Sequence, residues 1–141
     1  YDFIWSSPPC PTHSKLRMSH PESRYYPDMK LYEEIIFLQN FYKGNWCVEN
    51  VESYYDPLVR PTAVLDRHYF WTNYPLNPYI INKNDRDVSR ATKEQLADHL
   101  GIELPVGTKD ARKLLRNAVH PALGLHIYQG QPLQQELFQG E

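Results

Sequence analysis

The stretch "DMKLYEEIIFLQNFYKGNWCVENV", residues 28–51, decides the fold, because its apolar residues change their spacing halfway along. The first half predicts a helix that begins behind Asp28 and ends at Gly44. The second half predicts a buried strand, Trp46–Val51, and the aromatic segment Tyr1–Trp5 predicts another. We therefore expect a strand–helix–strand crossover with two parallel strands. The helical repeat is carried by Leu31, Ile35, Leu38 and Tyr42.

The rest of the chain predicts one more strand and three short helices. Thr92 and Gln95 have the spacing of a capping box, and Gly101 is placed to end the helix that they begin. Pro121 is tolerated in the first turn of the last helix. The predicted elements are the strand His68–Asn73 and helices over Thr92–Leu100, Thr108–Leu115 and 117–129.

Composition bounds the class of protein. The chain has 141 residues, of which 41% are hydrophobic and 23% charged, as expected for one soluble globular domain. The predicted order of strands and helices makes that domain α/β. No run approaches the roughly 18 apolar residues of a spanning helix, and no signal peptide is recognisable, which predicts a cytosolic protein without a membrane partner. A net charge of −2 gives no overall attraction to DNA. A local basic cluster could contact DNA or simply be a solvated helix face: Lys109, Arg112, Lys113 and Arg116.

Cys10 stands in "SSPPCPTHS", residues 6–14, directly after the first predicted strand. Two cysteines make no disulfide framework. Prolines on both sides would present the thiol of Cys10 rigidly to a ligand at the carboxyl end of the strand. The alternative is that Cys10 is only a small buried apolar residue.

Glu49 lies among apolar residues of a predicted strand, where a carboxylate is costly unless it is hydrogen-bonded or protonated. Such a carboxyl could protonate a ring nitrogen, or it could simply face solvent at the end of the strand. Cys47 is expected in the core.

Cys10 and His13 have a C-x-x-H spacing, which is one half of a possible zinc site. No second ligand pair with zinc spacing is recognisable, so no metal is predicted and a zinc-stabilised domain is the weaker alternative.

Four blocks, in chain order, resemble the DNA cytosine-5 methyltransferases. A Pro-Cys loop is followed by Glu-Asn-Val, then by an arginine that leads a strand, then by Asn-Ala-Val near the carboxyl terminus. The resemblance implies part of a Rossmann-like, S-adenosylmethionine-dependent methyltransferase sheet with flanking helices, beginning after the cofactor-binding strands. The matching residues are Pro9, Cys10 and Ser14; Glu49, Asn50 and Val51; Arg67; and Asn117, Ala118 and Val119.

The resemblance also implies roles. Cys10 would add to carbon 6 of a flipped cytosine and Glu49 would supply a proton to ring nitrogen 3. Arg67 would hold the base or stabilise the developing charge. Asn117 would contact the methyl donor S-adenosylmethionine, and double-stranded DNA would be the partner. The residues implied in substrate binding are Pro9, Ser14 and Asn50.

Departures from the family pattern shape the remaining expectations. No Gly-x-Gly cofactor turn is present, Pro11 replaces the usual glutamine, and Leu65 replaces the first arginine. We therefore expect a piece of a small, phage-type enzyme that is inactive alone and associates with an N-terminal half or a second copy. The alternative is a non-catalytic DNA- or protein-binding subunit with an inert thiol. The expected segments are a catalytic-core part over 1–73, a short recognition region over 74–110, and a helical segment over 111–141 that completes the core.

Overall fold

The protein has a mixed α/β fold with a four-stranded open sheet. The computed structural model describes residues 1–15, 26–80 and 90–132. The strands are β1 (Phe3–Ser6), β2 (Asn45–Val51), β3 (Ala63–Leu65) and β4 (His68–Thr72). The helices are α1 (Lys30–Phe41), α2 (Lys93–Leu100), α3 (Ala111–Asn117) and α4 (Pro121–Gln129). No helix in these three ranges is long and apolar enough to cross a membrane.

The sheet has the strand order β1-β2-β4-β3. The predicted parallel pairing of the first two strands is confirmed, with Ser6 opposite Val48. β4 is antiparallel to both β2 and β3, with Val51 opposite His68. The carboxyl ends of β1 and β2 and the turn between β3 and β4 therefore lie at one edge of the sheet.

Helix α1 covers one face of this sheet. It begins one residue later than predicted, because Met29 and not Asp28 is the N-cap, although the Asp28 carboxylate accepts a hydrogen bond of 3.1 Å from the Lys30 amide. Side chains at alternate positions of the central strands pack against the helix, as expected for a pleated sheet. This core contains Leu31, Tyr32, Ile35, Leu38, Trp46, Val48 and Trp71.

Gly44 does not end α1, contrary to the sequence prediction. The helix ends at Phe41, and Tyr42 is already extended. A Cβ atom at Gly44 would lie only 2.8 Å from Cε1 of the Tyr42 ring. The absence of a side chain at Gly44 therefore leaves room for the Tyr42 ring. The Tyr42 hydroxyl donates a hydrogen bond to the Tyr1 carbonyl.

Strand β3 was not predicted. It has three residues, too few for a periodic signal, and it exists through its pairing with β4, in which Leu65 lies opposite His68. A two-residue turn joins the strands, and its first residue, Asp66, has a φ of 54°. Aspartate is among the residues that tolerate this left-handed conformation.

The chain divides into two compact units, Tyr1–Pro78 with Gly130–Glu141, and Tyr79–Gln129. In the second unit the predicted capping box is confirmed, since Thr92 Oγ1 accepts from the Gln95 amide at 3.2 Å and Gln95 Oε1 from the Thr92 amide at 3.1 Å. Gly101 ends α2 with a φ of 63°. The functional segments expected from the sequence stay a prediction.

Two further helices in the second unit begin later than the sequence predicts. Helix α3 begins at Ala111 rather than at Thr108, because Asp110 is left-handed with a φ of 53° and the Thr108 hydroxyl donates instead to the Pro105 carbonyl. Helix α4 begins at Pro121 rather than at residue 117, and Pro121 has no amide hydrogen to leave unpaired at this first position.

Candidate active site

The Pro-Cys loop is joined to the end of β2 by a hydrogen bond. Asn50 is buried, and its Nδ2 donates to the Pro8 carbonyl at 3.0 Å. The Asn50 Oδ1 accepts from the Val51 amide at 3.0 Å, which fixes the orientation of the side-chain amide. Two of the blocks that the sequence singled out therefore meet at one edge of the sheet, through residues that are 42 positions apart.

The downstream side of the loop is also held. The Cys10 carbonyl accepts hydrogen bonds from the amides of His13 at 3.0 Å and Ser14 at 3.2 Å, so the loop turns back directly after the cysteine. Ser14 forms a β-bridge with Ser53, and the His13 carbonyl accepts from the Tyr54 amide at 3.2 Å. Cys10 itself is half-buried and its neighbour Pro9 is exposed.

His13 anchors the Pro-Cys loop to the core. Its side chain is fully buried, and Nδ1 lies 2.6 Å from the hydroxyl of Tyr55, which in turn lies 3.0 Å from the hydroxyl of Tyr32 in the core. Burial lowers the pKa of His13, although the charge of Asp28 opposes this. The sequence suggested His13 only as a zinc ligand; the structure shows it packed between the loop and the core.

Glu49 lies on the sheet face opposite α1 and is only 7% exposed. Burial raises the pKa of its carboxyl, and a hydrogen bond from the Ser7 side chain partly opposes the shift. The Ser7 hydroxyl oxygen accepts from the Trp5 indole at 3.1 Å, so its own proton is available to Glu49. The carboxyl is thus held from the β1 side by a residue of the Pro-Cys loop.

His68 approaches the same carboxyl from the β4 side. Its Nε2 lies 3.6 Å from Glu49 Oε1, and its side chain is 2% exposed. Burial, helped by the nearby Arg67 charge, lowers the pKa of His68 to about 4. The imidazole is therefore neutral near pH 7, and the contact is not an ion pair. The sequence prediction missed His68; alternation could have placed it on one face with Phe70, but not beside Glu49.

Arg67 lies in the turn between β3 and β4, at the same edge as the Pro-Cys loop. Its side chain is 44% exposed, its Nε lies 3.6 Å from Asp66 Oδ2, and its carbonyl accepts from the Glu52 amide at 3.0 Å. Asn117 is the exposed last residue of α3 and belongs to the second unit. Ala118 is already extended, so the Asn-Ala-Val block lies at the end of α3 and not in the last helix.

Three other candidates have ordinary structural surroundings. Cys47 is fully buried, and burial raises the pKa of its thiol, with the Glu49 charge adding to the shift. Arg112 of the basic cluster donates from Nε to the Ala91 carbonyl at 2.9 Å. Within the described ranges, no group of three or more His, Cys, Asp or Glu side chains is arranged to hold a metal ion, so the zinc alternative gains no support.

Comparison with models of known protein families, with curated proteins and with solved structures finds no match in any of the three.

Proposed function

We propose that this chain carries the base-activating residues of a DNA cytosine-5 methyltransferase. The observation that supports the proposal best is the hydrogen bond from Asn50 to the Pro8 carbonyl. It ties the Pro-Cys loop to the Glu-Asn-Val end of the neighbouring parallel strand, so the thiol of Cys10 and the carboxyl of Glu49 belong to one edge. The turn that bears Arg67 lies at that edge as well.

The proposed chemistry begins with the thiol. The thiolate of Cys10 adds to carbon 6 of cytosine, the carbon 5–carbon 6 double bond opens, and its electron pair moves into the ring toward carbon 5. Glu49 gives its proton to ring nitrogen 3, so no strongly charged ring accumulates. Reversal of both steps expels the thiolate and returns the proton to Glu49.

The environment of Glu49 suits an acid of this kind. A carboxyl in water at neutral pH has lost its proton, whereas burial raises the pKa of Glu49 toward the working range. Ser7, a residue of the loop, contacts the carboxyl, so the loop and the acid are ordered together. Arg67 has an exposed side chain at the same edge, and we assign to it the contact with the flipped nucleotide or its phosphate.

The methyl donor does not fit the residues described. None of the six glycines belongs to a Gly-x-Gly turn, and Asn117, the candidate contact, is an exposed residue at the end of α3. We therefore assign to this chain the activation of the base and derive no step through S-adenosylmethionine. The chain would act together with a half that carries the glycine loop, and its partner would be double-stranded DNA.

Trapping the thiol adduct tests the proposal. The chain is incubated with duplex DNA containing 5-fluorocytosine and with S-adenosylmethionine, with and without a cytosine-5 methyltransferase half that bears the glycine loop. Once carbon 5 has received a methyl group, the fluorine on it cannot leave as a proton does, so the adduct can no longer reverse and persists on a denaturing gel. We expect an adduct that requires this half and is abolished in Cys10→Ser.

Cys47→Ser is the matched control, because that thiol is fully buried in β2. The folded Cys47→Ser protein should form the adduct as the wild type does. If both pieces are folded and associated and no Cys10-dependent adduct forms, the methyltransferase proposal is wrong, and the non-catalytic binding subunit becomes the better account.

A further inference from the structure

A buried histidine faces the proposed acid from the strand opposite the loop. His68 begins β4, and Glu49 lies diagonally across from it on the same face of the sheet, since Val51 pairs with His68 and Glu49 with Phe70. The distance from His68 Nε2 to Glu49 Oε1 is 3.6 Å. That exceeds an ordinary N–H to oxygen hydrogen bond by roughly 0.7 Å. A small movement of the carboxyl would close it.

The other ring nitrogen decides where the proton sits. His68 Nδ1 is buried without a hydrogen-bond partner among the described residues. A buried N–H group with no acceptor is rarer and more costly than a buried acceptor with no donor. The favoured neutral tautomer therefore carries its hydrogen on Nε2, directed at Glu49.

We propose that His68 is a positioning residue that, after this small movement of the carboxyl, donates its Nε2 hydrogen to Glu49 Oε1 already in the free protein, which turns Oε2 toward an entering base. The inference rests on the function proposed above. Ser7 contacts the same carboxyl from the β1 side, so the acid is held between two neighbouring strands. His68 orients the carboxyl and need not touch the substrate.

The charges around His68 fit a neutral donor. Arg67 disfavours a charged imidazole, whereas Asp66 and Glu52 favour it, and burial outweighs all three. Glu49 faces the ring from β2, and the Phe70 ring is its aromatic neighbour on β4, at 6.2 Å between centroids. A neutral N–H donor stabilises the carboxylate less than a cation would, so it orients Glu49 while leaving its proton available for transfer.

Nuclear magnetic resonance of the whole chain tests the contact without requiring catalysis. In the wild type, ¹⁵N spectra of the imidazole should show a protonated Nε2 and a bare Nδ1 at neutral pH; the reverse tautomer would overturn the inference. Titration of the carboxyl ¹³C signal, assigned with Glu49→Gln, should show the pKa of Glu49 rising by about one unit in His68→Leu.

Two variants control for packing. His68→Gln keeps an N–H donor and should return the pKa of Glu49 toward the wild-type value. Phe70→Leu changes the residue directly opposite Glu49 but removes no donor, so it should leave that pKa near the wild-type value. Equal shifts in His68→Leu and Phe70→Leu would show that the ring acts only through packing and would refute the inference.

Adduct formation then tests the positioning role. His68→Leu should slow the Cys10-dependent adduct about tenfold, because a misaligned acid loses much of its effect, and His68→Gln should recover part of the rate. If the wild type forms the adduct and His68→Leu forms it equally fast, the inference fails alone. If the wild type forms no adduct, the proposed function fails and takes the positioning role with it, while the titration still reports on the contact.

Discussion

At the scale of single residues, the sheet face opposite α1 buries two titratable groups whose responses to pH have opposite signs. Burial raises the pKa of Glu49, so folding favours its protonated form and this contribution fades as the pH rises through the folded-state pKa. The pKa of His68 falls from 6.5 to about 4 on folding. The unfolded chain therefore binds an extra proton between these values, and stability falls as the pH drops through that window.

We expect His68 to destabilise the fold by about 2 kcal/mol when the pH is lowered from 7.5 to 5. Urea unfolding at both pH values should show a smaller acid loss in His68→Leu than in the wild type, with a remainder from His13 and other groups. Phe70→Leu, on the same strand and face, should lower the stability at both pH values and keep the acid loss. An unchanged acid loss in His68→Leu would contradict the assignment.

At the scale of elements, α1 is held by the sheet through one stripe of its surface. Ile35 is 1% exposed and its neighbour Ile36 is 50% exposed. We expect Ile35→Ala to lower the free energy of unfolding by about 2–5 kcal/mol, because it leaves a cavity between helix and sheet. Ile36→Ala, the matched control, should change it by less than about 0.5 kcal/mol. Similar losses in urea unfolding for the two variants would place the buried stripe elsewhere.

Local sequence sets the ends of one helix, whereas tertiary packing sets the start of another. Helix α2 begins and ends where its own residues dictate, through Thr92, Gln95 and Gly101. Helix α1 begins one residue after Met29, and its N-cap has no side-chain hydrogen bond. Its position is set by the packing of its apolar stripe on β2 and β4, which outweighs the capping preference of Asp28.

At the scale of the whole molecule, the first unit joins two distant parts of the chain. Asn45, at the start of β2, donates from Nδ2 to Gln131 Oε1 at 3.2 Å and to the Pro132 carbonyl at 3.0 Å. The segment after α4 thereby returns to the strand that follows α1. These contacts close a long loop of the chain, and closing it has an entropic cost that the contacts must offset.

We expect Asn45→Ala to lower the free energy of unfolding by about 1 kcal/mol, through loss of these hydrogen bonds. The matched control is Asn40→Ala, which removes only an exposed bond to the Ile36 carbonyl of the same helix and should have a smaller effect. Both variants are compared by urea unfolding. Equal effects would show that the return of residues 131–132 adds no stability.

Much of the site was accessible from the sequence, because its parts are local signals. The βα crossover, the proline-flanked cysteine after a strand, and the polar pair that ends the next strand can each be read from a few neighbouring residues. Parallel pairing of the two strands then places both of their carboxyl ends at one edge of the sheet. The roles assigned to Cys10, Glu49 and Arg67 stay predictions until the adduct is tested.

The short strand β3, the contact of His68 with Glu49, and the chain from His13 through Tyr55 to Tyr32 came only from the tertiary structure. Each of these features joins residues that are distant in sequence or depends on the register between strands. A shift of that register by one residue would move every side chain of a strand to the other face of the sheet. The secondary-structure propensities of the individual residues do not determine that register. It is settled by the apolar packing of the entire sheet, and that packing also decides which buried polar groups lie beside one another.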